Sequence, residues 1–121
     1  MTKNKYHATK TAVDGIVFDS KKEARRYVEL TALERAGEIS DLRLQVKYEL
    51  VPEQREPETI GPRGGKRPGK RLEAARYYVA DFVYTKSGET VVEDCKGVRT
   101  DVYKLKRALM LWRYGIKIHE T

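Results

Sequence analysis

Cysteine is nearly absent from this chain of 121 residues, which has one, and histidine is almost as scarce, with two. The lone Cys95 rules out an internal disulfide and fits a reducing compartment. Cys95, His7 and His119 are too few and too far apart to build a structural zinc site. Long apolar runs are missing too. Nowhere do about eighteen apolar residues follow one another, and the opening "MTKNKYHATK" has no hydrophobic signal core. These absences predict a soluble, intracellular protein with no membrane partner. Proline is rare, and three of the four prolines crowd into one stretch, Glu53 to Arg76.

Charge is what the chain has in quantity. Charged residues make up 36% of it, and 25 Lys and Arg against 18 Asp and Glu leave a formal charge of +7. A pI near 9.5 predicts a polyanionic partner, nucleic acid first, with a merely soluble basic protein as the plain alternative. The apolar residues fall in periodic runs, so the chain is expected to fold, and its length suits a single domain over residues 1–121.

Asp14-Gly15 within "TAVDGIVF" is a favoured type I′ pair and predicts a β-hairpin. Ser20 with Glu23 three residues on has the form of a capping box, and Gly37 offers a stop. Between them Ala24, Tyr27, Val28, Leu30 and Leu33 form a stripe, which predicts a helix from about Lys21 to Ala36. "DLRLQVKYELVP" alternates, with Leu42, Leu44, Val46, Tyr48 and Leu50 on one face and Pro52 as its end. The following "EPETIGPRGGKRPGKRLEAAR" holds four glycines and six Lys or Arg, so residues 53–76 are expected to form a long, mobile basic loop. Loops of that length are more often functional than accidental. "YYVADFVYTKSGETVVEDCKG" predicts two strands in a hairpin around Lys86-Ser87-Gly88-Glu89. Thr100 or Arg99 then opens a helix that Gly115 ends, with Val102, Leu105, Ala108, Leu109 and Trp112 on one face. "IKIHE" reads as a last short strand.

"VVEDCKG" puts charge where packing is expected. Val91, Val92 and Cys95 suit an interior, whereas Glu93, Asp94 and Lys96 are costly there unless paired, metal-bound or solvated. Alternation sets Val92, Asp94 and Lys96 on one face and Val91, Glu93 and Cys95 on the other. On the preceding strand Tyr77, Val79, Asp81 and Val83 share a face, so Asp81 is an acid in an apolar row. A hairpin can bring Asp81 and Asp94 side by side, where two carboxylates repel unless a cation lies between them or one is protonated. Mg²⁺ or Mn²⁺ resolves the repulsion; Mg²⁺ in particular is commonly held by one or two carboxylates plus water and phosphate. Lys96 would face the same point, able to orient a water or balance the charge of a pentavalent phosphate. Such a set suits phosphodiester cleavage. A cross-strand ion pair, Asp81 with Lys96, is the structural alternative.

At these residues the chain resembles the PD-(D/E)XK nucleases, a core shared by many restriction enzymes, Holliday-junction resolvases and transposon end-cleaving nucleases. More closely, "KYHATKTAVDGIVFDSKKEARRYVEL", "GEISDLRLQVKYEL", "YVADFVY" and "VVEDCKGVRTDVYKLKRALM" resemble a family of small phage-encoded proteins. That family was long catalogued as of unknown function and is assigned to the same superfamily. The resemblance implies an α/β fold with a restriction-endonuclease-like α-β-β-β-α-β core and a mixed central sheet, to which the N-terminal β-hairpin and the basic loop would be additions. It implies Asp81 as the first acid, Asp94 as the second and Lys96 as the lysine. Glu23 matches a helix glutamate that many members add, and Gln45 a glutamine on the strand after that helix. The proline before the first acid is Ala80 here. Glu93 beside Asp94 leaves two carboxylates in contention for the metal, alternation favouring Asp94. The function implied is a Mg²⁺- or Mn²⁺-dependent endodeoxyribonuclease, phage- or prophage-encoded and cytoplasmic in a bacterial host. It would act on double-stranded or branched DNA, as a homodimer that cuts two strands.

Plainer readings stand beside these. Glu23 suffices as half of a capping box, and the roles compete: a Glu23 turned to metal leaves Ser20 a one-sided cap. Gln45 fits an exposed strand position, Cys95 a small core residue, and Trp112 and Tyr114 helix packing. Neither histidine has an assigned role. Arg63, Lys66, Arg67, Lys70 and Arg71 in the loop, with Lys104, Lys106, Arg107 and Arg113 on the last helix, are candidate contacts to a phosphate backbone; a solvated linker is the alternative for the loop. No helix offers a base-reading set, so recognition of shape or backbone is expected. The competing function is a non-catalytic basic DNA-binding or partner-docking module on the same fold, and a third is a ribonuclease.

Overall fold

A computed structural model describes residues 9–121; His7 lies outside the described residues. Asp14 and Gly15 both take positive φ, 52° and 77°, as a type I′ turn requires, and join β1 (Thr11–Val13) to β2 (Ile16–Phe18). Helix α1 (Lys21–Arg35) begins at Ser20, whose Oγ accepts a hydrogen bond from the Glu23 amide at 3.1 Å. It ends at the Ala36 cap, followed by Gly37 at φ 77°. The chain then enters β3 (Ser40–Val51).

Residues 53–76 correct the expectation of a loop. β4 (Gln54–Arg55) pairs with β7 (Arg71–Glu73), and β5 (Thr59–Ile60) pairs with β6 (Lys66–Arg67), both antiparallel. The segment leaves β3 and returns as a two-stranded ribbon. Its prolines and glycines, which suggest disorder when read as composition, sit at the joints between the short ladders. Gly69 is required there, because a Cβ would fall 1.8 Å from the Glu56 carbonyl oxygen.

β8 (Arg76–Lys86) follows, and Ser87-Gly88, at φ 51° and 78°, turns it into β9 (Glu89–Asp94). Thr100 caps α2 (Asp101–Tyr114), Gly115 closes it at φ 66°, and β10 (His119–Glu120) completes the chain. The four-stranded sheet runs β10-β9-β8-β3, with β10 parallel to β9 and the other pairs antiparallel. The fold is mixed α/β, two helices on a mixed sheet, and no helix among the described residues is long and apolar enough to cross a membrane.

The helices cover opposite faces of the sheet at different heights. α1 packs Ala24 and Leu30 with Phe82, Tyr84, Leu42 and Leu44. α2 packs Tyr103 and Met110 with Tyr78, Ala80, Val83 and Leu50, along with Val46 and Tyr48. Leu30 and Met110 are fully buried, each worth roughly 1.5–3 kcal/mol of transfer free energy. The expected alternation of β3 and β8 therefore breaks. Even-numbered residues face α1 at Leu42, Leu44, Phe82 and Tyr84 but face α2 at Val46, Tyr48, Tyr78 and Ala80. Both strands exchange faces at Gln45 and Asp81, and the register on either side is the same. Gln45 makes the exchange with a left-handed φ of 52°. Val83 consequently joins the α2 core instead of sharing a face with Asp81.

α2 is rotated away from its expected stripe, of which Leu109 alone packs against the sheet-side core. Its buried residues are Tyr103 and Met110, whereas Val102, Leu105, Leu111 and Trp112 are 63, 62, 56 and 81% exposed. The helix carries apolar side chains on two faces, and periodicity alone cannot choose which one meets the sheet. Trp112 is thus no packing residue; Tyr114 is one, its ring 5.7 Å from that of Tyr48.

Candidate active site

The β8–β9 ladder pairs Phe82 with Glu93 and stops there, so the next position sets Asp81 opposite Asp94. Asp81 Oδ2 accepts a hydrogen bond from the Cys95 amide at 2.9 Å, and Asp94 Oδ2 accepts one from the Tyr78 hydroxyl at 2.7 Å. The other oxygen of Asp94, Oδ1, is buried and makes no hydrogen bond. Lys96 Nζ stands 3.3 Å from it as an ion-pair partner and 4.3 Å over the Tyr103 ring. The ion pair at this site is therefore Lys96 with Asp94, not Lys96 with Asp81.

Glu23 reaches the same place from the first turn of α1. Its Oε1 accepts from Gln45 Nε2 at 3.3 Å, and the same nitrogen lies 3.4 Å from Asp81 Oδ1. Among the described residues Glu23 makes no hydrogen bond to the Ser20 amide, while the Asp19 backbone amide opposes the rise of its pKa. A cleft of about 470 Å³ has Lys22, Glu23, Asp81, Asp94, Lys96 and Thr100 on its walls.

Burial, with the charges of Asp81, Asp19 and Asp94 added, pushes the Glu23 carboxyl up to about 7. Burial also raises Asp81 to about 6; the Cys95 amide opposes this and the Asp94 charge reinforces it. Four carboxyl groups, Asp19, Glu23, Asp81 and Asp94, line the cleft against two ammonium groups, Lys22 and Lys96. Among the described residues no three His, Cys, Asp or Glu side chains converge into a ready metal cluster. The Gln45 amide lies between the Glu23 and Asp81 carboxyl groups.

A family model described as "Protein of unknown function (DUF1064)" matches residues 3–119. The chain belongs to DUF1064. No curated protein and no solved structure matches it.

In this DUF1064 chain Glu93 and Asp94 have different surroundings. Glu93 is fully buried toward α1, where Arg26 grips it from Nε at 2.8 Å and Nη2 at 2.7 Å, and the Tyr84 hydroxyl bonds the same carboxylate. Burial alone would raise its pKa, but Arg26 and Tyr84 together hold it below the usual carboxylate value. Glu93 is removed from the cleft. Cys95 packs with the α1-side core, and burial pushes its thiol up to about 11, which leaves no thiolate for chemistry at neutral pH.

The predicted basic residues divide. Arg63, Lys66, Arg67 and Lys70 are exposed on the ribbon; exposed Arg71 lies 4.0 Å from Glu53. Lys104 and Arg107 line a hollow that shares no residue with the cleft, and Arg107 bonds Glu120 at 3.2 Å. Lys106 is the α2 cation that lines a hollow with Asp94 and Lys96. Sequence reasoning passes over Tyr78 and Lys22. Plain alternation puts Tyr78 on the face opposite Asp81, and only the exchange at Asp81 returns it to Asp94. Lys22 had one signal, its place beside Glu23; its Nζ donates to the Lys96 carbonyl at 3.4 Å.

Proposed function

We propose that this DUF1064 protein is a Mg²⁺- or Mn²⁺-dependent endodeoxyribonuclease of the PD-(D/E)XK type, hydrolysing phosphodiester bonds in double-stranded or branched DNA. The observation that carries the reading is Asp81 set opposite Asp94, with Lys96 beside Asp94 and one buried Asp94 oxygen lacking a hydrogen bond. An all-oxygen donor set with surplus negative charge fits a hard divalent cation, and one or two carboxylates are what Mg²⁺ commonly takes from protein. Asp81 and Asp94 would hold it, with Glu23 assisting. Bound there, the ion supplies Lewis-acid polarisation of a phosphoryl oxygen and lowers the pKa of a coordinated water.

The chain's own groups have definite tasks in this scheme. The Cys95 amide and the Tyr78 hydroxyl fix one oxygen each of Asp81 and Asp94. Lys96 Nζ, lodged between Asp94 and the Tyr103 ring, orients the attacking water and meets charge building on the phosphate. Hydrolysis adds water across one P–O bond, the hydroxyl going to phosphorus and the proton to the departing oxygen. The surplus of Lys and Arg neutralises phosphates along the substrate. The order helix, three sheet strands, helix, strand supports the restriction-endonuclease-like topology. A homodimer, which cutting two strands calls for, has the exposed apolar face of α2 at its disposal. Phage or prophage origin and a bacterial cytoplasmic setting belong to the same reading.

The test is incubation of purified protein with linear DNA, branched DNA and RNA in Mg²⁺ or Mn²⁺. DNA cleavage that Asp81→Ala and Asp94→Ala abolish supports the reading, and activity that survives Asp81→Ala sinks the site. Salt-dependent DNA binding with neither cleavage nor a metal-induced rise in Tm assigns the protein instead as a non-catalytic module. Cutting of RNA alone reassigns the substrate.

A further inference from the structure

We infer that the ribbon formed by β4–β7 and β5–β6 enters the major groove of duplex DNA. The inference rests on the DNA-directed reading above and specifies the form of DNA and the groove.

The ribbon is tied along its length. The Glu56 amide donates to the Lys70 carbonyl at 2.9 Å, and at the tip the Gly61 amide donates to the Gly65 carbonyl at 2.7 Å. Gly69 lies too close to the Glu56 backbone for any side chain. The element can be presented to a partner without first being ordered, which lowers the entropic cost of binding.

Its charge is graded. Glu53, Glu56, Glu58 and Glu73 all belong to the half nearest the sheet. Beyond Thr59 and its partner Arg67 there is no acid, and Arg63, Lys66 and Arg67 occupy that outer part; Lys70 and Arg71 lie in the inner half, level with Glu56 and Arg55. Almost none of this surface serves the fold, since β4 through β7 are exposed at every position. Ile60 is 77% exposed at the tip, an apolar side chain that folding does not explain.

Groove dimensions select among the sites a polyanion offers. Two paired strands lie about 4.8 Å apart, and side chains bring such a ribbon to roughly the 12 Å width of the major groove; the minor groove, about 6 Å wide, excludes it. Phosphates line both walls for the cations, and thymine methyl groups on the groove floor offer Ile60 an apolar contact found in no other part of the duplex.

Binding is measured by fluorescence anisotropy in EDTA, so that cleavage plays no part and loss of the nuclease reading leaves the result interpretable. Methyl green, a major-groove ligand, should displace the protein from a blunt duplex, and netropsin, a minor-groove ligand, should not. Arg63→Ala with Arg67→Ala should weaken duplex binding roughly tenfold and reduce the salt slope by about two, with Tm unchanged because both side chains are exposed. Replacing thymine by uracil should weaken the wild type but not Ile60→Ser. Displacement by netropsin alone, wild-type affinity in the double variant, or indifference of the wild type to uracil would each overturn the proposal.

Discussion

Gln45 Nε2 stands between two acids, 3.3 Å from Glu23 Oε1 and 3.4 Å from Asp81 Oδ1. It does so from a backbone with φ 52°, a conformation that costs a non-glycine residue about 1–2 kcal/mol. One amide offers two N–H donors and can satisfy both carboxyl groups. Strain at this residue is thus coupled to the placement of the acids. Gln45→Gly separates the two: it relieves the backbone and deletes the amide. We predict a metal-free stability within about 1 kcal/mol of wild type by urea unfolding, with weakened Mg²⁺ binding by calorimetry and slower cleavage. Wild-type metal affinity in this variant would show that the amide positions nothing.

The raised carboxyl groups give the metal-free fold a definite pH dependence. Glu23 ionises near 7 and Asp81 near 6 in the fold, against ordinary values of 4.5 and 3.8. Between about pH 4 and pH 7 the folded chain therefore holds protons that the unfolded chain has released, and these two groups lower stability as pH rises. Below that window both states are protonated; above it the full cost is present. Asp81→Asn should raise the metal-free Tm at about pH 8 and change it little at about pH 4. Because a cation binds the deprotonated acids, Mg²⁺ should raise the wild-type Tm more at the higher pH. Thermal scans at both pH values check this, and a variant destabilised at pH 8 contradicts it.

What could be read from sequence was what one or two residues decide. Asp14-Gly15, Ser20, Gly37, Thr100 and Gly115 each set a turn or a cap through their own φ or side chain, and each is where it was expected. The juxtaposition of Asp81 and Asp94 follows from a hairpin whose turn fixes its register. The parts that escaped depend on distant choices. Nothing near Gln45 in sequence announces a left-handed strand residue, so the exchange of faces and the recruitment of Tyr78 were hidden. The two apolar faces of α2 are equivalent until the sheet takes Tyr103 and Met110. Pairing within residues 53–76 is invisible to composition, and Glu93 finds Arg26 from 67 residues away.

That Arg26–Glu93 pair makes a stability prediction separable from catalysis. Glu93 is fully buried, and removing Arg26 leaves its charge without a cation. Loss of one partner from a buried pair costs about 3–5 kcal/mol, whereas exchange of both for apolar residues is often neutral. Arg26→Ala should lose stability on that scale in urea, and Arg26→Met with Glu93→Leu should recover most of it. Glu93 has its pKa held low, so its contribution is present above the ordinary carboxylate range and disappears as pH falls through the folded value. The double variant should accordingly resist mild acid better than the wild type. Its cleavage per folded molecule should be unchanged, because the pair faces away from the cleft; loss of cleavage in a folded double variant would return Glu93 to the site.

Trp112 tests the proposed homodimer. It is the sole tryptophan, 81% exposed, and lies with Val102 and Leu105 on the side of α2 opposite Tyr103 and Met110. A monomer should emit at the long wavelength of a hydrated indole and be quenched readily by acrylamide. If that face joins two copies, emission should shift to the blue and quenching should fall as concentration rises, with sedimentation moving in step. Trp112→Glu puts a charge at the centre of the apolar face without touching the core or the acids. It should stay monomeric at all concentrations and convert double-strand cutting into single nicks, because each cleft would then meet one strand at a time. A variant that sediments like the wild type and still cuts both strands together would show that this face joins no second copy.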